Sequence, residues 1–179
     1  MLKIHQLFFL NIFGLFSGGL ILASLIGFVT LKSMIISDNE AELIKSINLL
    51  QPQIQTTKTF DSLASHIKKE TGYRVTVIAE NGMVLAETDA NKNVMENHLS
   101  RVEVMHSMTM PYGVSVRYSK TIKTDFIYVA KHITTSNGAI YFRLSTALEG
   151  VMDHFYILWI KLIGAFSALM IIALFIAYN

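Results

Sequence analysis

Cysteine is absent from this chain of 179 residues, and proline occurs only twice. Without cysteine the protein can form neither disulfide bonds nor thiolate metal sites, and its folding compartment could be oxidising or reducing. Charged residues are also scarce, at 16% of the chain, and they are missing altogether from residues 7–31 and 162–178. With 52% hydrophobic residues and a mean hydropathy of +0.44, the sequence is too apolar for an ordinary soluble domain.

Both uncharged runs are long enough to form membrane helices, because about 20 apolar residues at about 1.5 Å each cross the hydrocarbon core of a bilayer. We predict an N-terminal tail and first transmembrane helix over residues 1–31, and a second transmembrane helix over residues 155–179. Tyr156, Trp159 and Lys161 are predicted to anchor the second helix at the membrane interface. A cleaved signal peptide is the alternative for the first run, but its apolar part would be about twice the usual length.

The segment between the two predicted helices, residues 32–154, has the size of one domain. Once Lys3 and Lys161 are set aside, it contains 13 basic and 13 acidic residues, and this formal neutrality argues against nucleic acid as a partner. Lys3 precedes the first helix with no acid beside it, which favours a cytoplasmic N-terminus and an extracytoplasmic domain. Because the sequence ends directly after the second apolar run, we expect cytoplasmic output domains beyond Asn179.

Hydrophobic periodicity changes along this domain from that of helices to that of strands. It predicts helices over 32–50, ended by Pro52, and over 61–71, capped by Gly72. Asn81-Gly82 predicts a type I′ hairpin turn. Alternation predicts strands over 73–80, 83–88, 113–121, 125–133 and 139–144, and a last helix is expected over 146–153. The layout indicates an α+β fold, with a PAS-like (PDC/Cache-type) five-stranded antiparallel sheet and flanking helices between two transmembrane helices.

Four blocks of sequence, in this order, resemble the extracytoplasmic region of phosphate-regulon-type sensor histidine kinases: TGYRVTVIAENGMVLAETD, MENHLSRVEV, VRYSKTIKTDFIYVAKHI and IYFRLS. The similarity covers residues 70–148, and Val102 stands where that family has a proline. The resemblance implies the sensory and transmembrane part of a homodimeric two-component receptor in a bacterial inner membrane, surrounded by membrane lipids.

The same resemblance implies that catalysis resides elsewhere in the parent protein. A cytoplasmic kinase would use ATP and Mg²⁺ and phosphorylate a cognate response regulator, whereas this segment would hold no cofactor and no catalytic residue. The stimulus it implies is related to phosphate, and a phosphate transporter or its accessory protein is a further partner consistent with it.

The stretch MENHLSRVEV raises the question of a site. Catalysis by His98 is disfavoured, because an extracytoplasmic histidine has no access to ATP. Glu103 and His106, three residues apart on a helix, could share a metal ion, but solvated charges explain them as well, and we assign no metal ligand. Arg101 and Arg117 could hold an anion, although Arg117 could equally be a surface cross-strand partner.

We favour a structural latch, in which Glu96 with Arg101, or Asn97 with a turn backbone, ties a short helix onto the sheet. The apolar residues expected to be buried with this helix are Met95, Leu99, Val102 and Val104. The candidates for ligand binding or for the latch are Glu96, Asn97, His98, Arg101, Glu103 and Arg117.

Small residues four apart occur in both apolar runs, as Gly14 and Gly18 in the first and Gly164 and Ala168 in the second. This spacing permits close approach of two membrane helices and predicts packing in a homodimer. Three other functions stay open beside a kinase receptor: the same sensor attached to a chemoreceptor, the same sensor attached to a cyclic-dinucleotide enzyme, and a two-span scaffold without enzymatic output.

Overall fold

The computed structural model describes residues 4–119, 124–148 and 151–178, and its chain divides into two compact units, Met1–Ile35 and Ile36–Asn179. The first unit consists of the N-terminal part of helix α1 (Ile4–Thr56). By length and composition α1 is apolar enough to cross a membrane, with a mean hydropathy of 2.2 in its most apolar window. Gly14 and Gly18 have no atom within 4 Å of an added Cβ, and their predicted packing between helices stays a prediction. Lys3, on which the orientation argument depends, lies outside the described residues.

The second unit contains a five-stranded sheet, the helices that flank it and a long C-terminal helix. The strands are β1 (Arg74–Ala79), β2 (Val84–Glu87), β3 (Gly113–Ser119), β4 (Thr124–Thr135) and β5 (Gly138–Ala147). The helices are the C-terminal part of α1, α2 (Phe60–Thr71), α3 (Val102–His106) and α4 (Val151–Tyr178). All neighbouring strands are antiparallel, in the order β2-β1-β5-β4-β3. The predicted α+β, PAS-like fold is confirmed.

One face of the sheet is apolar and packs against α1 and α2. Alternate residues of the three central strands point to this face, because side chains in a strand alternate between the two faces. Leu43, Ile47 and Ile54 of α1 are completely buried in this core. The sheet and α2 contribute Ala64, Ile67, Val75, Val77, Ile127, Val129, Phe142 and Leu144. Each of the larger side chains stabilises the fold by about 1.5–3 kcal/mol, so the C-terminal part of α1 is held firmly to the sheet.

Helix α1 does not end at Pro52, as the sequence predicts, but continues to Thr56. Proline removes one backbone N–H and disfavours a helix interior. The next turn is nevertheless held in place, because Ile54 is fully buried and the Thr56 hydroxyl donates to the Pro52 carbonyl at 2.9 Å. Tertiary burial therefore outweighs the local preference at this proline.

The first hairpin also departs from the sequence prediction. The Gly82 N–H donates to the Ala79 carbonyl and the Ala79 N–H donates to the Met83 carbonyl, both at 2.8 Å. Glu80 and Asn81 are thus central in the turn, and Gly82 follows with φ of 84°. This is a three-residue loop with a glycine bulge rather than the predicted type I′ turn on Asn81-Gly82.

The chain after β4 differs from the prediction in the length of its last strand. Strand β5 extends to Ala147, so residues 146 and 147 are strand and not the start of the predicted helix over 146–153. Thr146 and Ala147 pair with Ile127 and Phe126 of β4, which keeps them in the sheet. Helix α4 begins at Val151, and its candidate membrane span, Tyr156–Ala173, starts at one of the predicted interface residues.

Candidate functional site

The second face of the sheet is polar, although it is largely buried. Arg74 and Thr76 of β1, Arg143 and Ser145 of β5, Tyr128 of β4, and Ser115 and Arg117 of β3 all point to this side. The strand register places them side by side, with Thr76 opposite Arg143 and Tyr128 between Ser145 and Ser115. Arg143 is 1% exposed and Thr76 and Ser145 are completely buried. Arginine side chains buried this deeply need partners of opposite charge, because burying an unpaired charge costs free energy.

The polar face is covered by residues 89–112, which we call the cover segment. It contains a short 3₁₀ turn at Lys92–Val94, the MENHLSR stretch and α3. Two glycines let it approach the sheet. A Cβ at Gly113 would lie 1.8 Å from the Glu103 carbonyl oxygen, and a Cβ at Gly82 would lie 2.0 Å from Asn97 Oδ1. Only residues without a side chain permit this packing.

Asn97 joins the cover segment to the first hairpin. Its Nδ2 donates to the Asn81 carbonyl at 2.6 Å, and its Oδ1 accepts from the Leu99 N–H at 2.8 Å. The structure thus places Asn97 against a turn backbone, which is one of the two latch arrangements that the sequence suggests. In the other arrangement Glu96 would pair with Arg101, but no ion pair joins these two side chains in the described part of the chain.

Glu103, on α3, lies at the centre of a buried ion network. Its carboxylate is completely buried and accepts from Arg117 at 2.8 and 2.9 Å, from Arg143 at 2.9 Å and from the Ser115 hydroxyl at 2.7 Å. Burial raises the pKa of Glu103, but the hydrogen bonds and charges of the two arginines outweigh it and bring the pKa down to about 2. Both carboxylate oxygens are therefore already engaged, which leaves Glu103 poorly suited to the metal site considered with His106.

Tyr128 supports the two arginines from the sheet. The Arg117 guanidinium lies 3.9 Å from the centre of the Tyr128 ring, and that of Arg143 lies 5.0 Å from it. Cation–π contacts of this kind contribute about 0.5–2 kcal/mol each, most where water is excluded. Arg143 also donates to the Thr76 hydroxyl at 2.8 Å, while burial lowers its pKa. The network thus ties β1, β3, β4 and β5 to α3.

His98 is the buried histidine of the cover segment, with 6% of its surface exposed. Its Nδ1 lies 2.7 Å from the Glu96 carbonyl, and its backbone N–H donates to the Gly82 carbonyl at 2.9 Å. Burial lowers the pKa of His98, and the positive charges of Arg143, Arg101 and Arg117 lower it further. Because a carbonyl oxygen can only accept, the Nδ1 of His98 carries the proton of this hydrogen bond.

An open cleft lies between the polar face and the cover segment, with a volume of about 660 Å³. Residues of the buried ion network and residues of the cover segment both line this cleft. Its lining residues are Arg74, Val94, Met95, Glu96, His98, Arg101, Arg117, Tyr118, Tyr128 and Arg143. Arg74 is fixed at one side through its Nε, which donates to Glu87 at 2.8 Å. Four guanidinium groups therefore converge on one space.

The structure brings together most of the residues that the sequence singles out. The cleft is lined by Glu96, His98, Arg101 and Arg117. Asn97 contacts the first hairpin, and Glu103 is buried behind the cleft, where it pairs with Arg117. Whether they bind a ligand stays a prediction. One expectation about burial is wrong. Val104 is completely buried and Met95 and Leu99 are half-buried, but Val102 is 45% exposed, because α3 turns this side chain away from the sheet.

Sequence reasoning misses Arg143, Arg74 and Tyr128. The sequence contains one weak indication of this site, at Arg143. Arg143 interrupts the apolar strand Gly138–Ala147, in which it alternates with Phe142 and Leu144 on the core side. A lone arginine in such a strand predicts a buried partner of opposite charge. That partner, Glu103, is 40 residues away in the chain, and no local pattern connects the two.

No protein-family model and no curated protein matches the chain. Its structure is similar to the ligand-binding domain of the Campylobacter jejuni chemoreceptor Tlp3 with 4-methylisoleucine, at a TM-score of 0.46 and 10% identity, over 70% of this chain and 59% of that chain. It is also similar to the extracellular domain of rpHK1S-Z16, described as a histidine kinase, at a TM-score of 0.45 and 11% identity, over 70% and 54% of the two chains.

These similar structures are extracellular or sensory domains, and the chain spans little more than half of their length. With identities near 10% and TM-scores below 0.5, they carry no conclusion about ligand or output. The finer resemblance to phosphate-regulon-type kinases, and phosphate as the stimulus, stay predictions.

Proposed function

We propose that this chain is the sensory and transmembrane part of a bacterial two-component sensor histidine kinase, with its PAS-like domain on the extracytoplasmic side of the inner membrane. One observation supports the sensory and transmembrane part of the proposal, and the sequence resemblance supports its kinase output. Helix α1 contains both an apolar run fit to cross a membrane and the fully buried residues Leu43, Ile47 and Ile54 of the domain core. The core of the domain and the first span are thus parts of one element.

The proposed signal is a change at the polar face that reaches the membrane helices. Strand β5 carries Arg143 at the centre of the sheet, and α4 follows it after only three intervening residues. A shift of the cover segment that loosens Glu103 from Arg143 would alter how β5 packs on α1. Coupling of this kind needs an element with two arrangements, and the docked and released cover segment supplies them in this proposal.

The proposed assembly is a homodimer whose membrane helices pack through their small residues. Gly14, Gly18, Gly164 and Ala168 are all exposed in the single chain, so a second copy could approach them closely. The proposed kinase output would use ATP and Mg²⁺ and pass phosphate to a response regulator. A transporter or accessory protein as the source of the signal is a further part of the proposal.

The reading frame after Asn179 tests the output directly. The proposal expects a linker, a helix pair with a phosphoacceptor histidine and an ATP-binding domain. The parent protein in membrane vesicles should then be phosphorylated by ATP on histidine. A methyl-accepting coiled coil, a cyclic-dinucleotide domain or a stop codon in that frame would contradict the kinase output.

A further inference from the structure

Several arginine donors at the cleft have no protein acceptor. Arg143 is 1% exposed and its Nε has no hydrogen-bond partner, although its two terminal nitrogens donate to Glu103 and Thr76. Arg74 donates to Glu87 through Nε, and neither of its terminal nitrogens donates to any described residue. Arg101 takes part in no side-chain hydrogen bond or ion pair within the described ranges. A guanidinium offers five N–H donors, so these three residues hold donor capacity that the fold itself does not use.

The charge of the cleft is positive even after its internal pairs are counted. Two carboxylates, Glu103 and Glu87, pair with Arg117, Arg143 and Arg74, and burial of both carboxylates is complete. The remaining charged groups of the lining are Arg101 and Glu96. Four guanidinium groups of the lining therefore face three carboxylates, and the further acid near Arg74, Asp89, is paired with Lys68. The negative charge of one bound anion would balance the remaining positive charge of the cleft.

The rest of the lining is suited to an organic molecule rather than to a bare inorganic ion. Val94 and Met95 of the cover segment and the rings of Tyr118 and Tyr128 line the same space. Val94 is 79% exposed and Tyr118 is 58% exposed, which is unfavourable for apolar surface unless something covers it. A volume of about 660 Å³ also exceeds what a single small inorganic ion fills.

We propose that the cleft binds a small organic carboxylate, with its carboxylate group held by Arg101 and the terminal nitrogens of Arg74, and its apolar body against Val94 and the two tyrosines. This inference rests on the proposed sensory function and names the class of its ligand. Arg101 and Val94 belong to the cover segment, whereas Arg74 and Tyr128 belong to the sheet. The ligand would therefore bridge the two parts whose separation is the proposed signal.

The test measures binding to the whole chain in lipid nanodiscs by isothermal titration calorimetry. The probes are benzoate and butyrate, with benzamide and butyramide as neutral matches of the same shape, and inorganic phosphate as an anion without an apolar body. Arg101→Gln removes one guanidinium that has no protein partner, so the domain should fold as before. Lys58→Gln is the matched control, because Lys58 is exposed, precedes α2 and is not part of the cleft lining.

We expect at least one of the carboxylates to bind while its amide does not. We expect Arg101→Gln to weaken that binding about tenfold or more, as the loss of a charge-assisted hydrogen bond does, and Lys58→Gln to leave it unchanged. Absence of carboxylate binding, equal binding of the amides, binding of phosphate alone, or binding indifferent to Arg101→Gln would each overturn the inference. Because no output domain takes part in this measurement, its failure leaves the phosphorylation test of the proposed function unaffected.

Discussion

Replacement of Glu103 by glutamine is the perturbation for which the structure gives the clearest magnitude. The variant keeps the shape of the side chain but removes the charge that faces Arg117 and Arg143. The pKa of Glu103 falls from 4.5 to about 2 in the folded protein, and a shift of this size corresponds to about 3 kcal/mol. Removing one partner of a buried ion pair typically costs about 3–5 kcal/mol. The pKa shift and the typical cost of breaking a buried ion pair therefore both predict that Glu103→Gln lowers the free energy of unfolding by about 3 kcal/mol or more.

The assay is hydrogen exchange of the β3, β4 and β5 amides in the full chain in nanodiscs, which reports the free energy of opening of the sheet. The matched control is Glu80→Gln, because Glu80 is 65% exposed and lies 3.8 Å from His132; a surface change of this kind should stay within about 0.5 kcal/mol. A loss below about 1 kcal/mol in Glu103→Gln would refute the reasoning from the buried network.

The sign of the pH dependence provides a second check on the same residue. Since the folded pKa of Glu103 is depressed, its contribution is fully present above pH 4.5 and is lost as the pH falls towards about 2. Wild-type protein should therefore lose protection of the sheet amides over this range. Glu103→Gln should lack that part of the pH dependence, and a variant that retained it in full would contradict the assignment.

Three further predictions follow from the cover segment and the membrane helices. Because the pKa of His98 is lowered from 6.5, the unfolded state takes up the proton first, so the protection factors of residues 95–101, which compare exchange with the unfolded chain at the same pH, should fall as the pH falls below 6.5; His98→Asn should remove this dependence, and an unchanged pH profile would contradict it. Gly113→Ala should destabilise the docked cover segment by about 1–3 kcal/mol in the same exchange assay, since its Cβ would meet Glu103 at 1.8 Å, whereas Gly27→Ala meets nothing within 4 Å and should be neutral. Single cysteines at Gly14 and at Gly18 should form disulfide-linked dimers in membranes, and monomers at both positions would remove the proposed interface.

Much of the fold can be predicted from the sequence because it depends on local patterns. Alternation in the strands is strong, and Gly72 ends α2 with φ of 76°, as its place after the last helical turn predicts. Local rules fail where packing decides instead. Helix α1 passes through Pro52 because Ile54 is buried beyond it, and Gly82 serves as a bulge rather than as a central turn residue.

Only some residues of the candidate site can be predicted from the sequence. Arg101, Arg117 and Glu103 belong to a dense polar stretch or an alternating strand, and such positions attract notice. Glu103 nevertheless looks like a solvated helix residue in the sequence, whereas the structure buries it completely. Its burial depends on Arg143, 40 residues further along the chain, and on the close approach that Gly113 permits. Pairings over such distances arise from tertiary structure and leave no periodic signal.

The central claim is that the state of the buried network reaches an output across the membrane. Histidine phosphorylation of the parent protein by ATP, in membrane vesicles, tests it most directly when wild type, Glu103→Gln and Glu80→Gln are compared. Our account predicts that phosphorylation changes in Glu103→Gln and stays at the wild-type level in Glu80→Gln. Equal phosphorylation in all three, with the sheet of Glu103→Gln loosened by hydrogen exchange, would contradict the claim.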